Sequence, residues 1–192
     1  LYFMWGTPFI YQGEEIGMTN FPFKEIDDFN DVSIKNAYQS QVVEGNLDKE
    51  AFIFKYGLSS RDNARSPMQW SKDVNGGFCQ VKPWFKVNPN YQEINVENEM
   101  KTSDSLWHFY KKVIEIRKNK RYKDTIIYGR YEQLLKEDEH IYAYLRTGNH
   151  KLLVITNFFE EEKEIQFDQT YIINSVLLSN YDCEITEFKK IR

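Results

Sequence analysis

This sequence has few cysteines, no long apolar run and no excess of positive charge, and each of these features excludes a class of protein. The 192 residues include two cysteines, Cys79 and Cys183, which lie far apart and outside any Cys-x-x-Cys spacing. We therefore expect free thiols in a reducing compartment, and neither a disulfide framework nor a thiolate metal site. No apolar run reaches the roughly 18 residues that a membrane span needs, so no membrane partner is expected.

The charge balance and the missing catalytic motifs exclude further classes. With 25 Lys and Arg against 29 Asp and Glu, the net charge of −4 would repel a phosphate backbone, and no nucleic acid partner is expected. The sequence holds no Gly-x-Ser-x-Gly, no Gly-x-x-x-x-Gly-Lys and no His-Glu-x-x-His motif, and its 3 histidines stand apart. We therefore expect neither a metal nor a cofactor, and a cytoplasmic location.

What the sequence does contain is carboxylates, arginines and an unusual density of aromatic residues. Phe, Tyr and Trp number 14, 13 and 4, which together make 16% of the chain. This set suits sugar binding, because aromatic faces stack on pyranose rings and charged side chains bind hydroxyl groups. Glycoside hydrolysis itself needs two carboxyl groups on opposite sides of the scissile bond.

The pattern of apolar residues changes along the chain. Residues 6–11 are apolar and bounded by Gly and Pro, which predicts a buried strand of the parallel kind, followed by a turn with two adjacent glutamates. Residues 31–43 predict a weak helix and residues 57–90 a long loop. Residues 106–120 predict the clearest helix of the chain, because apolar side chains recur there at the helical period.

Beyond Lys123 the apolar residues recur with a period of two. Gly148 and Asn149 suit a tight hairpin turn between two of the resulting strands. This part of the chain is therefore predicted to be a small antiparallel β domain. The five predicted strands are residues 126–135, 141–146, 152–158, 164–167 and 175–179.

Several segments, taken in order, resemble one enzyme family. Residues 6–18 (GTPFIYQGEEIGM) resemble the eighth-strand segment of the α-amylase superfamily, glycoside hydrolase family 13. Residues 60–70 (SRDNARSPMQW), 83–84 (PW) and 87–91 (VNPNY) resemble its oligo-1,6-glucosidase, α-glucosidase and trehalose-6-phosphate hydrolase group. The likeness continues through the long helix and the third predicted strand, so it covers nearly the whole chain.

The resemblance implies a fold of the α/β plus all-β class. Residues 1–122 would be the C-terminal end of a TIM (β/α)8 barrel, and residues 123–192 a C-terminal antiparallel, β-sandwich-like domain without its last strand. It also implies a retaining mechanism that uses an Asp nucleophile, a Glu acid/base and an Asp that orients the sugar. All three acids belong to family segments upstream of Gly6, so we expect a C-terminal fragment without catalytic residues, whose partner is the missing N-terminal barrel.

Three substrate-binding candidates follow from the resemblance. Arg61 matches the arginine that contacts glucose in the −1 subsite together with an acid from an early barrel loop, and Arg65 and Glu15 are further candidates. A guanidinium suits this task because it offers several donors in a fixed fork and stays charged. The alternative is that both arginines only fix the loop through Asp62. Glu14 and Glu15 cannot form the catalytic pair, because neighbouring side chains point apart, and we expect them to fix the strand-8 loop by hydrogen bonds.

Two further features bear on specificity. Ser33 stands where the family pattern Asp-Val/Ile-Glu has a carboxylate near the +1 subsite, which leaves the linkage preference open. Trp70, Phe78 and Trp84 could be sugar platforms, but we interpret them as the core of their loop.

The sequence thus predicts part of a retaining α-glucosidase that hydrolyses α-1,6 or α-1,4 bonds of short oligosaccharides such as isomaltose. An oligosaccharide is the expected ligand of the full-length enzyme, and the isolated chain is expected to be inactive. One alternative is a fragment of a trehalose-6-phosphate hydrolase, and another is a non-catalytic carbohydrate-binding module. A non-catalytic relative of the transporter heavy-chain kind is disfavoured by the Arg61 motif.

Overall fold

The computed structural model describes residues 1–181 and 187–188, and it divides into two compact units. We call Ile10–His108 the loop unit, and Leu1–Phe9 with Phe109–Arg192 the sheet unit. The α-helices are Val32–Tyr38 (α1), Lys49–Ser59 (α2), Val96–Lys101 (α3), Leu106–Lys118 (α4) and Lys123–Tyr128 (α5). The strands are Arg130–Leu134 (β1), Ile141–Thr147 (β2), Lys151–Asn157 (β3), Tyr171–Ile172 (β4) and Glu187–Phe188 (β5).

The sheet unit is built on an antiparallel sheet in the order β1-β2-β3. Ala143 in the central strand pairs with Leu134 on one side and Ile155 on the other. These side chains pack with the buried residues Ile141 and Phe167 in one apolar cluster. The predicted strands at 141–146 and 152–158 are thus confirmed as β2 and β3, because one apolar face of a sheet produces a period of two.

The predicted hairpin between these two strands is also confirmed. Thr147 pairs with Lys151, so residues 148–150 form the connection. The Gly148 N–H donates to the carbonyl of His150 at 2.9 Å. The turn is therefore one residue longer than the Gly148-Asn149 pair that predicted it.

The predicted strand at 126–135 joined two different elements, and its first part was wrong. Residues up to Tyr128 belong to α5, where Ile126 is buried. The Gly129 N–H ends this helix by donating to the carbonyl of Thr125 at 3.0 Å. Within the predicted segment only β1 is a strand. The prediction for the first part was wrong because a pair of isoleucines fits a short buried helix as well as a strand.

Two further strand predictions were wrong. Residues 164–167 and 175–179 form no strand; the short pair β4 and β5 lies elsewhere in this part of the chain. In the first segment the apolar pattern reflects the burial of Phe167 in the cluster described above. In the second, Val176 and Leu177 are exposed.

The loop unit consists of helices and turns, and no residue between 10 and 108 lies in a strand. Its main apolar cluster is formed by Phe29, Ile34, Phe52 and Ile53. The predicted helix at 31–43 is confirmed as α1 and the single π-helical turn that continues it. The predicted helix at 106–120 is confirmed as α4, whose residues from Phe109 onward belong to the sheet unit.

Helix α2 was not predicted, and its first residues explain why it forms. The Asp48 carboxylate accepts the N–H of Ala51 at 2.8 Å, which is the contact of a helix N-cap. Phe52 and Ile53 are buried while Phe54 and Leu58 are exposed, so apolar residues occupy every side of the helix. The helical period is therefore blurred, and the end of α2 reaches into the predicted loop at 57–90.

The strand predicted at residues 6–11 is wrong. None of the described strands pairs with this segment, and Phe9 is 85% exposed. A strand exists only where a neighbouring backbone pairs with it, and the apolar pattern alone does not supply that neighbour.

Candidate functional site

An ion pair between Arg61 and Asp31 is the centre of the candidate site. Both Nε and Nη2 of Arg61 donate to the same carboxylate oxygen of Asp31, at 2.8 and 2.7 Å. The two residues lie 30 positions apart in the sequence. The acidic partner of Arg61 in this structure is thus within the chain, whereas the resemblance implied one from an early barrel loop.

Asp31 is itself held in place as the N-cap of α1. Its second carboxylate oxygen accepts the backbone N–H of Ser33 at 3.0 Å and the Ser33 hydroxyl at 2.7 Å. These hydrogen bonds from Ser33, together with those from Arg61, lower the pKa of Asp31 to about 2. The carboxylate is therefore charged at neutral pH, and it fixes one edge of the guanidinium.

Arg61 leaves much of its own side chain exposed. The side chain of Arg61 is 67% accessible, whereas that of Asp31 is only 5% accessible. Among the described residues, none accepts a hydrogen bond from Nη1 of Arg61. A guanidinium with one edge fixed and the other open to solvent is suited to bind the oxygens of a ligand.

A second carboxylate, Asp62, supports the backbone beneath this ion pair. Asp62 is fully buried, and one of its oxygens accepts the N–H groups of Asn30 and Asp31 at 2.7 and 3.0 Å. Its other oxygen accepts from Nη1 of Arg65 at 3.1 Å. Asp62 therefore positions the residue that holds Arg61.

The structure separates the two candidate arginines. Arg65 pairs with the buried Asp62, as the alternative interpretation of the motif proposed, and its side chain is 40% accessible. Arg61 forms neither a hydrogen bond nor an ion pair with Asp62; it pairs with Asp31 instead. The loop-fixing role thus describes Arg65, and Arg61 is the more exposed cation.

Glu15 lies in a turn that precedes these residues in the chain. Its Oε2 accepts the N–H of Gly13 at 2.8 Å, and the side chain is half-buried. Gly13 has a φ of 93°, so this turn uses a backbone conformation that favours glycine. The hydrogen bond fits the expectation that Glu15 fixes this loop. The nearby Tyr11 hydroxyl donates to the carbonyl of Ala64, which ties the segment to the arginine motif.

The aromatic residues of the long loop are more exposed than expected. Trp70, Phe78 and Trp84 are 51%, 44% and 64% accessible. The interpretation of these residues as loop core was wrong. Phe21 and Phe85 are buried instead, and their rings contact each other edge to face.

The pairing of Asp31 with Arg61 and the hydrogen bonds of Asp62 to the N–H groups of Asn30 and Asp31 were not predicted from the sequence. Asp31 directly precedes the apolar residues of a predicted helix, which is a typical N-cap signal, so its capping role could have been found. Its pairing with Arg61 could not, because nothing in a local pattern relates residues so distant in the sequence.

The described part of the chain has neither a metal-ligand cluster nor a membrane-spanning helix. Within residues 1–181 no group of three His, Cys, Asp or Glu side chains could hold a metal ion. None of the described helices is long and apolar enough to cross a membrane. The thiol of Cys79 is free, and Cys183 lies outside the described residues.

Known proteins match the chain along its length. The family model for the alpha-amylase catalytic domain matches residues 1–129. An oligo-1,6-glucosidase from Parageobacillus thermoglucosidasius is 45% identical over 100% of this chain and 34% of its own length. A trehalose-6-phosphate hydrolase from Bacillus subtilis (strain 168) is 44% identical over 84% of this chain and 28% of its own.

The fold matches the same group. A crystal structure of a mutant trehalose-6-phosphate hydrolase from Bacillus licheniformis superimposes with a TM-score of 0.86 at 38% identity, over 98% of this chain and 35% of that one. The chain thus spans about a third of the length of the relatives it matches. From the family match and the identity along its length, the chain belongs to the alpha-amylase family, glycoside hydrolase family 13.

Proposed function

We propose that this chain is the segment that carries a substrate-binding arginine in a retaining α-glucosidase, which cleaves α-1,6 bonds of short oligosaccharides such as isomaltose. The observation that carries the proposal is the Arg61–Asp31 pair, in which a buried carboxylate fixes a guanidinium whose other edge is open. The likeness to oligo-1,6-glucosidases over the whole chain supports the substrate class.

The proposed chemistry of Arg61 is binding and orientation of the sugar. An arginine stays protonated at every physiological pH, so it cannot exchange a proton with the glycosidic oxygen. Its open Nη1 would donate to hydroxyl groups of the non-reducing glucose. Retaining hydrolysis needs two carboxyl groups about 5 Å apart, which we assign to segments of the parent enzyme outside this chain.

The finer architecture is part of the same proposal. Residues 1–122 would complete the C-terminal end of the (β/α)8 barrel, and residues 123–192 would form the C-terminal β domain. In TIM-barrel enzymes the loops that follow the carboxyl ends of the strands carry the chemistry, and this proposal assigns Arg61 to the loop after the eighth strand.

Trehalose-6-phosphate hydrolysis is a second candidate activity. It is favoured by the 44% identity to a relative of that name and by the superposition on a second one. Ser33 leaves the choice between the two activities open. Its hydroxyl donates a hydrogen bond to Asp31, and it adds no negative charge beside Arg61.

A chimera tests the proposal. Residues 1–192 would replace the matching third of the Parageobacillus thermoglucosidasius oligo-1,6-glucosidase, and hydrolysis of isomaltose, maltose and trehalose 6-phosphate would be compared. We expect isomaltose to be the preferred substrate. A folded chimera that prefers trehalose 6-phosphate would favour the second candidate, and one that cleaves none of the three would contradict both.

The isolated chain supplies the control. We expect no hydrolysis of 4-nitrophenyl α-glucoside above a denatured sample. Isomaltose binding by the isolated chain, measured by calorimetry and lost in Arg61→Ala, would instead favour a carbohydrate-binding module.

A further inference from the structure

The dipeptide Asn75-Gly76 occupies an unusual position in the loop unit. Both residues have left-handed backbone angles, with φ values of 57° and 65°. Asn and Gly are the residues that tolerate this conformation. Gly76 also has no Cβ, so nothing on its own side chain shields its backbone nitrogen from the side-chain carbonyl of Asn75.

The amide of Asn75 connects this turn to the segment that follows it. Its Nδ2 donates to the carbonyl of Val81 at 2.9 Å and to that of Cys79 at 3.1 Å. The side-chain amide of Asn75 is thus a donor to two backbone acceptors, a role that only a group with two N–H bonds can fill.

Gly76 connects the turn to the segment that precedes it. Its carbonyl accepts the N–H groups of Trp70 and Ser71 at 2.7 and 3.0 Å, and its own N–H donates to the carbonyl of Asp73 at 2.9 Å. Gly76 is buried. The dipeptide therefore ties the end of the arginine motif, at Trp70, to the rest of the long loop.

We propose that Asn75 is a deamidation site, that the fold holds it unreactive, and that its modification disconnects this loop. In the reaction the Gly76 nitrogen loses its proton and bonds to the side-chain carbonyl carbon of Asn75. The bond from that carbon to Nδ2 breaks, and ammonia leaves with the proton. Water then opens the resulting succinimide at either carbonyl, which gives aspartate or isoaspartate.

The contacts on both reacting groups oppose this reaction in the folded chain. The Gly76 nitrogen must give up its hydrogen bond to Asp73 before it can attack. The Asn75 amide must turn away from the carbonyls of Cys79 and Val81. Reaction therefore requires local opening of the turn, and its rate follows the small population of the open state.

The products cannot restore the original contacts. An aspartate at position 75 presents oxygens to the carbonyls of Cys79 and Val81, with no proton to donate to either. An isoaspartate adds a methylene group to the backbone, which displaces the Gly76 carbonyl from Trp70 and Ser71. Either product loosens the loop from one of its two attachments.

Peptide mass spectrometry tests the protection. The chain would be incubated at mildly alkaline pH, folded and in urea, and conversion at each asparagine followed over time. In urea we expect Asn75 to react faster than every other asparagine. In the folded chain we expect its rate to fall by about tenfold or more. Equal rates in both conditions, or faster reaction of another asparagine in urea, would overturn the proposal.

Two variants test the consequence separately. Asn75→Asp reproduces one product, and Asn75→Gly removes the same two hydrogen bonds from a residue that tolerates the left-handed backbone, without adding a charge. The Phe78 amide, which donates to the Asn75 carbonyl at 3.1 Å, reports on this side of the turn. We expect its hydrogen exchange to be about tenfold faster in Asn75→Asp than in the unmodified chain and intermediate in Asn75→Gly, with β2 and β3 unchanged in both. Exchange in Asn75→Asp as slow as in the unmodified chain would show that the modification does not disconnect the loop.

Discussion

The loop unit and the sheet unit are each stabilised internally, by different kinds of interaction. In the sheet unit, β2 and β3 pair along their full lengths by backbone hydrogen bonds, over an apolar cluster. In the loop unit, side chains supply many of the hydrogen bonds that the backbone of a sheet would supply for itself. Its buried polar residues are Asp28, Asp31, Ser60, Asp62, Ser66, Gln69, Asn88, Asn95 and Ser105.

The kind of interaction that stabilises each unit determines what that unit can do. A backbone ladder is formed by main-chain N–H and C=O groups that every residue except proline carries in full, so it makes a stable support. A loop held by side chains requires particular residues at particular positions, and it can present a charged group such as Arg61 in one orientation. The candidate site therefore lies in the unit whose shape depends most on individual polar residues.

Replacing Asp62 should produce the largest effect. Asp62→Ala leaves the N–H groups of Asn30 and Asp31 without their acceptor, and we expect a loss of about 3–5 kcal/mol from the loop unit. Urea unfolding followed by hydrogen exchange would measure it. Asp48→Ala is the matched control, because that more exposed N-cap should cost only about 1 kcal/mol. Equal losses in the two variants would contradict the special role of Asp62.

In the sheet unit, apolar truncation should matter more than the loss of a polar group. Ile141→Val removes one methyl from the buried cluster and should cost about 1 kcal/mol. Thr156→Ala, on the exposed side of β3, should change the free energy of unfolding by less than about 0.5 kcal/mol. Denaturant unfolding of both variants checks the order, and a larger loss in Thr156→Ala would reverse the comparison.

Low pH should destabilise the loop unit, because the Asp31 carboxylate becomes protonated. The folded pKa of about 2 lies below the value of about 3.9 for an unfolded aspartate, so this stabilisation is present above about pH 4 and is lost as the pH falls toward 2. Carbon NMR of the Asp31 carboxyl would give its midpoint. Ser33→Ala should move that midpoint upward, because Ser33 is the largest contributor to the low pKa. An unchanged midpoint would contradict the assignment.

The smallest effect concerns the hydroxyl of Tyr144 in β2. This residue is 1% exposed, and its hydroxyl has no hydrogen-bond partner among the described residues. Burial raises the pKa of Tyr144, so the hydroxyl stays protonated. Tyr144→Phe should leave the melting temperature unchanged or slightly raised, because it removes a buried polar atom that makes no bond. A clear fall in melting temperature would show that the hydroxyl has a partner.

Sequence patterns predicted the elements whose apolar residues recur at a regular period, and they failed where that period is blurred or where the structure depends on distant partners. β2, β3 and α4 follow from apolar periods, which are local. Helix α2 was not predicted because its apolar residues lie on every side. Residues 6–11 were predicted to be a strand because a local pattern does not show whether a neighbouring strand is there to pair with. Arg61 was found by resemblance, whereas its partner Asp31 needed the structure.

The most direct measurement is the effect of Arg61→Ala on kcat/KM for isomaltose in the chimera, with Arg65→Ala as its matched control. If the open edge of Arg61 contacts the sugar, Arg61→Ala should lower kcat/KM by about 10²–10³, and Arg61→Lys should recover little because one ammonium cannot replace the fork. Arg65→Ala should lower it far less. A loss for Arg61→Ala no greater than that for Arg65→Ala would contradict the account.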